Sequence, residues 1–141
     1  MYHVLRVDTD RPYFSMTFDD GPHGALTLFL IAVLREIGAH ATLFAIGEKV
    51  WRYPEPLRMS VGDGHEIGNH SYTHAYLPKL TDGHIFRQID RAQYAVFDAC
   101  GALPKVSRAP LGRLNEEAWL ESWRPITAGR ARRRRCAWSS W

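Results

Sequence analysis

Two adjacent carboxylates are the first residues in this chain whose type and placement could do chemistry. They stand in Thr17-Phe18-Asp19-Asp20-Gly21-Pro22, after the apolar stretch Tyr13-Phe14-Ser15-Met16-Thr17-Phe18. Apolar residues that run into Gly-Pro read as a buried strand stopping at a tight turn. The end of such a strand in an α/β fold is where ligands bind. Two negative charges there are costly unless a cation or a reaction uses them. A second cluster, His65-Glu66-Ile67-Gly68-Asn69-His70-Ser71-Tyr72-Thr73-His74, ends in His-x-x-x-His. Imidazole nitrogen and carboxylate oxygen together suit zinc and neighbouring divalent transition metals. Two His and one Asp leave a coordination position open, which is the catalytic pattern. On a helical turn His70 and His74 would share a face, and a loop after a strand would serve equally well. An Asp-Asp pair before Gly is also common in solvated turns, and a His pair alone is a weak signal. Their position at two predicted strand ends is what joins them.

The elements that must position these groups alternate. Tyr13 to Phe18 reads as a first strand. Leu26 to Ile37 reads as a helix closed by Gly38. Ala41 to Ile46 is a buried strand ended by Gly47, and Pro54 to Val61 a short helix with Pro in its first turn and Gly62 after it. His65 to Asn69 is a third short strand. Thr81 to Ala99 is the longest helix, with Thr81 as cap, Asp82 in the first turn and Ile85, Ile89, Ala92 and Val96 at helical spacing. Gly101 stops it. Val106-Ser107-Arg108 is a fourth short strand, and Asn115 caps a helix through Leu120. Strand-helix alternation predicts parallel strands with right-handed crossovers. The charged residues then gather at the C-terminal ends of strands one, three and four, as in barrel enzymes, although a parallel barrel needs about eight strands to close.

The chain has 141 residues, 45% of them hydrophobic and 12% aromatic, which suits one globular domain and not a disordered chain. Cys100 and Cys136 make neither a metal-ligand pair nor a disulfide framework. No stretch is long and apolar enough to span a membrane. The first residues lack the basic-then-apolar order of a signal peptide, so the chain is expected to stay inside the cell unless an export segment has been lost. The net charge of +3 is unevenly placed: residues 124–141 hold Arg124, Arg130 and Arg132 to Arg135 and no acid. The remaining residues carry 12 basic and 15 acidic groups. Four consecutive arginines can neutralise phosphate, though a solvated tail explains them more simply.

These residues resemble the polysaccharide deacetylases, also called NodB-homology or carbohydrate esterase family 4 domains. Thr17-Phe18-Asp19-Asp20-Gly21-Pro22 is similar to the first family motif, and His70-Ser71-Tyr72-Thr73-His74 to the second, His-Ser-x-x-His. Arg108-Ala109-Pro110-Leu111-Gly112 resembles the third, Arg-x-Pro-Tyr-Gly, with Leu111 in the aromatic place. Phe44-Ala45-Ile46-Gly47 and Gly64 to His70 also look like family text. The resemblance implies that Asp20, His70 and His74 hold a metal, usually Zn2+, and that Asp19 is the general base. It implies that Arg108 orients Asp19 and that the Leu111 backbone N–H helps bind the oxyanion. The implied reaction is hydrolysis of acetyl groups from an N-acetylated, or O-acetylated, polysaccharide of the chitin, peptidoglycan or xylan class.

The departures from the family pattern are equally definite. The family's fourth motif, with Asp and Trp, and its fifth, Leu-x-His with the general-acid His, have no counterpart, and no histidine follows His84. The expected fold is therefore α/β, a partial (β/α) barrel of the deacetylase type with its later strands missing. It is expected to span residues 12–123, followed by an atypical Arg-rich tail at 124–141, as in a truncated or frame-shifted deacetylase. Loss of the acid implies impaired activity, more so on an amide than on an ester. An open sheet edge and an uncovered apolar face are expected as well. Two other classes stay open: an inactive metal-dependent glycan-binding module, and, ranked last, a nucleic-acid-binding fragment acting through Arg132 to Arg135. His23 and His65 are expected beside the site or facing solvent, His40 and His84 at the surface, and Trp51, Trp119 and Trp123 in packing roles.

Overall fold

The alternation of apolar strand segments and amphipathic helices becomes a parallel sheet with helical crossovers in the computed structural model, which describes residues 10–113. Strand β1 (Met16–Gly21) leads through helix α1 (Gly24–Glu36) to β2 (Ala41–Ala45). Helices α2 (Gly47–Arg52) and α3 (Pro54–Gly62) connect β2 to β3 (Glu66–Asn69), and α4 (Asp82–Cys100) follows a loop. The order is β1-β2-β3 and both pairings are parallel. This is a partial α/β barrel fragment, as the strand-helix alternation predicts.

Side chains alternate across the sheet, and the two faces differ. Phe18, Leu43, Ala45 and Ile67 pack with Leu57 of α3 and Ala95, Val96 and Ala99 of α4. Ile85, Ile89, Ala92 and Val96, the helical repeat of α4, are all 7% exposed or less. Each fully buried aliphatic side chain contributes about 1.5–3 kcal/mol. On the other face Phe44 packs against Gly68, where an added Cβ would clash with the edge of the Phe44 ring. Gly68→Ala is therefore expected to destabilise the chain by about 1–3 kcal/mol through overpacking. Denaturant unfolding checks this, and an unchanged midpoint would mean that the ring yields without cost.

Local chemistry explains most boundaries. Gly38 ends α1 at φ +65°, with Gly38 N–H bonded to the Arg35 carbonyl and Ala39 N–H to that of Leu34. Gly101, at φ +72°, ends α4. Strand β1 starts at Met16 rather than Tyr13, because its pairing begins where β2 begins, at Ala41. Tyr13 and Phe14 are left 70% and 83% exposed. The expected fourth strand shrinks to a single parallel bridge, Asn69↔Ser107, since β3 ends at Asn69. Helix α2 was not expected, because six residues are too few to show a helical repeat. Thr81 takes the cap position of α4, but its hydroxyl pairs with His84 Nδ1 at 2.7 Å instead of a backbone N–H.

Other expectations change too. Trp51 is 57% exposed, so it does not pack into the core. His65 is buried at the opening of β3, where its Nδ1 accepts the Ala41 N–H at 3.3 Å. Burial pushes its pKa below the ordinary 6.5, against the opposing charge of Asp63. His40 and His84 are exposed, as expected. Helix α1 and its C-cap leave Leu26, Phe29, Val33 and Ile37 exposed at helical spacing, an apolar stripe on the helix that the sequence did not lead one to expect. No helix among the described residues is long and apolar enough to cross a membrane. The helix expected from Asn115, Trp119, Trp123, Cys136, the Arg-rich tail and the 12–123 domain limit lie outside the described residues, in whole or in part.

Candidate metal centre

A break in strand register creates the centre. Between the pairs Phe18↔Leu43 and Gly21↔Ala45, β1 has two residues where β2 has one. In a regular strand Asp19 and Asp20 would point to opposite faces. The extra residue makes a bulge, a device that re-aims side chains beside active sites. Asp20 adopts φ +67°, the left-handed region that is costly without a glycine. Its Oδ1 then lies 3.3 Å from His70 Nε2 and 3.2 Å from His74 Nε2. One donor atom from each of Asp20, His70 and His74 falls within 4.8 Å of the others.

The two histidines reach this point from a loop, not a helical turn. His70 directly follows β3, and its N–H donates to the Ala45 carbonyl at 3.0 Å. Ser71 and His74 bend the loop at φ +62° and +57°. Buried Asn69 braces it: its Oδ1 accepts the Ser71 N–H at 2.9 Å, and its Nδ2 donates to Ile89 O and Gln93 Oε1. Gln88 Oε1 accepts the N–H groups of Tyr72 and Thr73, and Gln88 Nε2 donates to Thr73 Oγ1 at 2.9 Å. Arg91 stacks over the Tyr72 ring at 3.8 Å. Motif reading found none of these braces. The available signal was that Gln88 and Gln93 interrupt the apolar face of α4 defined by Ile85, Ile89, Ala92 and Val96.

The donor set fits a cation. His70 Nδ1 lies 2.8 Å from the Arg108 carbonyl, which can only accept. Nδ1 therefore carries the hydrogen, and in the neutral ring Nε2 presents a lone pair to Asp20 Oδ1. Two acceptors 3.3 Å apart repel each other unless a proton or a metal stands between them. A carbonyl behind an imidazole is also how proteins orient metal-binding histidines.

Asp19 belongs to a neighbouring network. Arg108 Nη1 donates to Asp19 Oδ1 at 2.7 Å and to Thr17 Oγ1 at 2.9 Å. The guanidinium lies 4.2 Å over the Phe44 ring, the same ring that Gly68 accommodates. The ion pair is more than a third exposed on both sides, so it is worth only about 0–1 kcal/mol in stability. Its larger effect is to aim Asp19. Arg108 thus serves both carboxylate systems, with its side chain on Asp19 and its main chain on His70. Leu111 lies in the turn Pro110–Gly112 at φ +58°, with its side chain 67% exposed. That turn engages the N–H groups of Gly112 and Arg113. Among the described residues, the non-glycine positions at positive φ are Asp20, Ser71, His74 and Leu111, all in or beside this cluster. Such strain concentrates at functional sites. His23 is exposed and contacts Lys49, while His65 lies away at the strand starts.

A family described as polysaccharide deacetylase matches residues 6–123. The peptidoglycan-N-acetylmuramic acid deacetylase PdaC of Bacillus subtilis is 36% identical over 111 residues, 79% of this chain but 24% of that protein. The chitooligosaccharide deacetylase of Azorhizobium caulinodans is 37% identical over 110 residues, 77% of this chain and 52% of that protein. The chain thus spans about a quarter to a half of the length of these relatives. Among solved structures, a family 4 carbohydrate esterase from Streptomyces lividans superposes with a TM-score of 0.75 at 35% identity, covering 78% of this chain and 57% of that one. The structure of PdaC superposes with a TM-score of 0.77 at 34% identity, covering 82% and 57%.

Proposed function

The chain belongs to the polysaccharide deacetylase family, and from that premise we propose that it hydrolyses acetyl groups from an N-acetylated polysaccharide. The observation that supports this most is the convergence of His70 Nε2 and His74 Nε2 on Asp20 Oδ1, with Asp19 held beside them by Arg108. In this reading Asp20, His70 and His74 hold a divalent transition metal, Zn2+ by preference for two imidazoles and a carboxylate. When bound there, the metal supplies Lewis-acid polarisation of the acetyl carbonyl. Asp19 takes the proton of the attacking water. Arg108 engages Asp19 Oδ1, so the second carboxylate oxygen is the one left to receive that proton. The Leu111 main-chain N–H faces the developing oxyanion, a role indifferent to its side chain.

The substrate class follows from relatives named for peptidoglycan and chitooligosaccharides, both built from N-acetylated sugars. Among the described residues, His23 and His65 lie apart from the three converging donors and no further histidine joins them, so in this reading the leaving amine draws its proton from water. An amide, with its poorer leaving group, suffers more from this than an ester. Zinc-loaded chain incubated with N-acetylglucosamine oligomers is expected to release acetate slowly, and to release it faster from an O-acetylated sugar. Chelation should stop both. Acetate release unaffected by chelation, or none from either substrate, would count against the proposal.

A further inference from the structure

We propose that Lys49 is a positioning residue of the metal centre, clamping Asp20 in the left-handed conformation that aims its carboxylate at His70 and His74. The inference rests on the reading of Asp20 as a ligand and goes beyond it. The bulge removes Asp19 and Asp20 from regular pairing, and the next ladder bond runs from Ile46 N–H to the Gly21 carbonyl at 2.8 Å. A bulged residue needs its backbone groups satisfied elsewhere. Lys49 Nζ supplies that donor, reaching the Asp20 carbonyl at 2.8 Å. The same ammonium contacts His23 Nε2 at 3.1 Å. Ammonium has no acceptor, so His23 Nε2 accepts and its hydrogen sits on Nδ1. His23 is itself anchored, its N–H donating to Thr27 Oγ1 at 2.8 Å at the start of α1. Lys49 lies in the first turn of α2, whose start is fixed by the Gly47 and Glu48 N–H groups bonding Ser71 and Tyr72 carbonyls. Helix α2 therefore links the two parts of the centre, its first N–H groups holding the loop that carries the histidines and its Lys49 side chain holding the strand end that carries Asp20.

Zinc titration calorimetry on the full chain, with Lys49→Met, Lys49→Arg and Asp20→Ala, tests the clamp. Lys49→Met is expected to weaken zinc binding about 10- to 100-fold, the usual effect of losing a group that orients a ligand. Lys49→Arg should recover most of it, since a long cation can still reach the carbonyl. The second readout needs no metal: the Asp20 13Cα and 13Cβ NMR shifts report its left-handed backbone. They should move in Lys49→Met and return in Lys49→Arg. Native zinc affinity, or native Asp20 shifts, in Lys49→Met would overturn the proposal. If the native chain binds no zinc, the metal reading fails, and the Asp20 shifts alone decide the clamp.

Discussion

Asp20→Ala is expected to leave the chain without bound metal. The carboxylate is the only anionic member of the triad and the atom on which both Nε2 groups converge, at 3.3 and 3.2 Å. Without it two neutral imidazoles remain, and His74 is carried by a loop at φ +57°. The loss should exceed the roughly 10- to 100-fold that follows removal of a merely orienting group. Equilibrium dialysis against zinc followed by metal analysis measures it directly. Alanine also tolerates the left-handed backbone worse than aspartate does, at a cost of about 1 kcal/mol. Asp20→Asn separates the effects, because asparagine accepts that backbone and removes only the charge. It should fold as the native chain does and still bind zinc more weakly. Equal zinc content in the native chain and Asp20→Ala would place any metal elsewhere.

Asp19→Asn is expected to do the opposite, keeping the metal and losing the rate. Asp19 meets Arg108 and not the histidines, so zinc affinity should stay within a few-fold of native. An amide in place of the carboxylate cannot take the water proton, and positioned general bases are worth about 10² to 10⁴ in rate. Acetate release from an O-acetylated sugar, the faster substrate, gives the dynamic range to see the loss. Arg108→Met is the matching control. It frees Asp19 but keeps the main-chain carbonyl that orients His70, so it should slow acetate release without lowering zinc content. Loss of zinc in Asp19→Asn would falsify the division of labour between the two carboxylates.

The donor types, their order and their placement at strand ends were legible in the linear sequence. Residues such as Gly-Pro after Asp20, Gly38 after α1 and the Ile85-Ile89-Ala92-Val96 repeat act locally or with a fixed period, so they can be read without a fold. The short elements were not legible. Helix α2 has no period to show, and the Val106–Arg108 segment forms one bridge because only Asn69 is there to meet it. Gln88, Asn69 and Lys49 escaped for a different reason. Each acts on residues 2 to 29 positions away, and the break that Gln88 makes in the apolar face of α4 is the one local hint among them.

The sequence by itself determined which chemistry was available: two carboxylates, two imidazoles at a four-residue spacing and an arginine. The family resemblance implied how they divide, and the tertiary structure shows the geometry that sets them apart. Adjacent residues of a strand face opposite ways, so Asp19 and Asp20 could serve one site only through the bulge opposite Phe44. The left-handed turn at Asp20 sends one carboxylate to the histidines, and Arg108, arriving from a distant segment over the Phe44 ring, claims the other. Register and long-range hydrogen bonds have no signature in local composition, which is why the bulge and the contacts that set the two aspartates apart appear only in the folded chain.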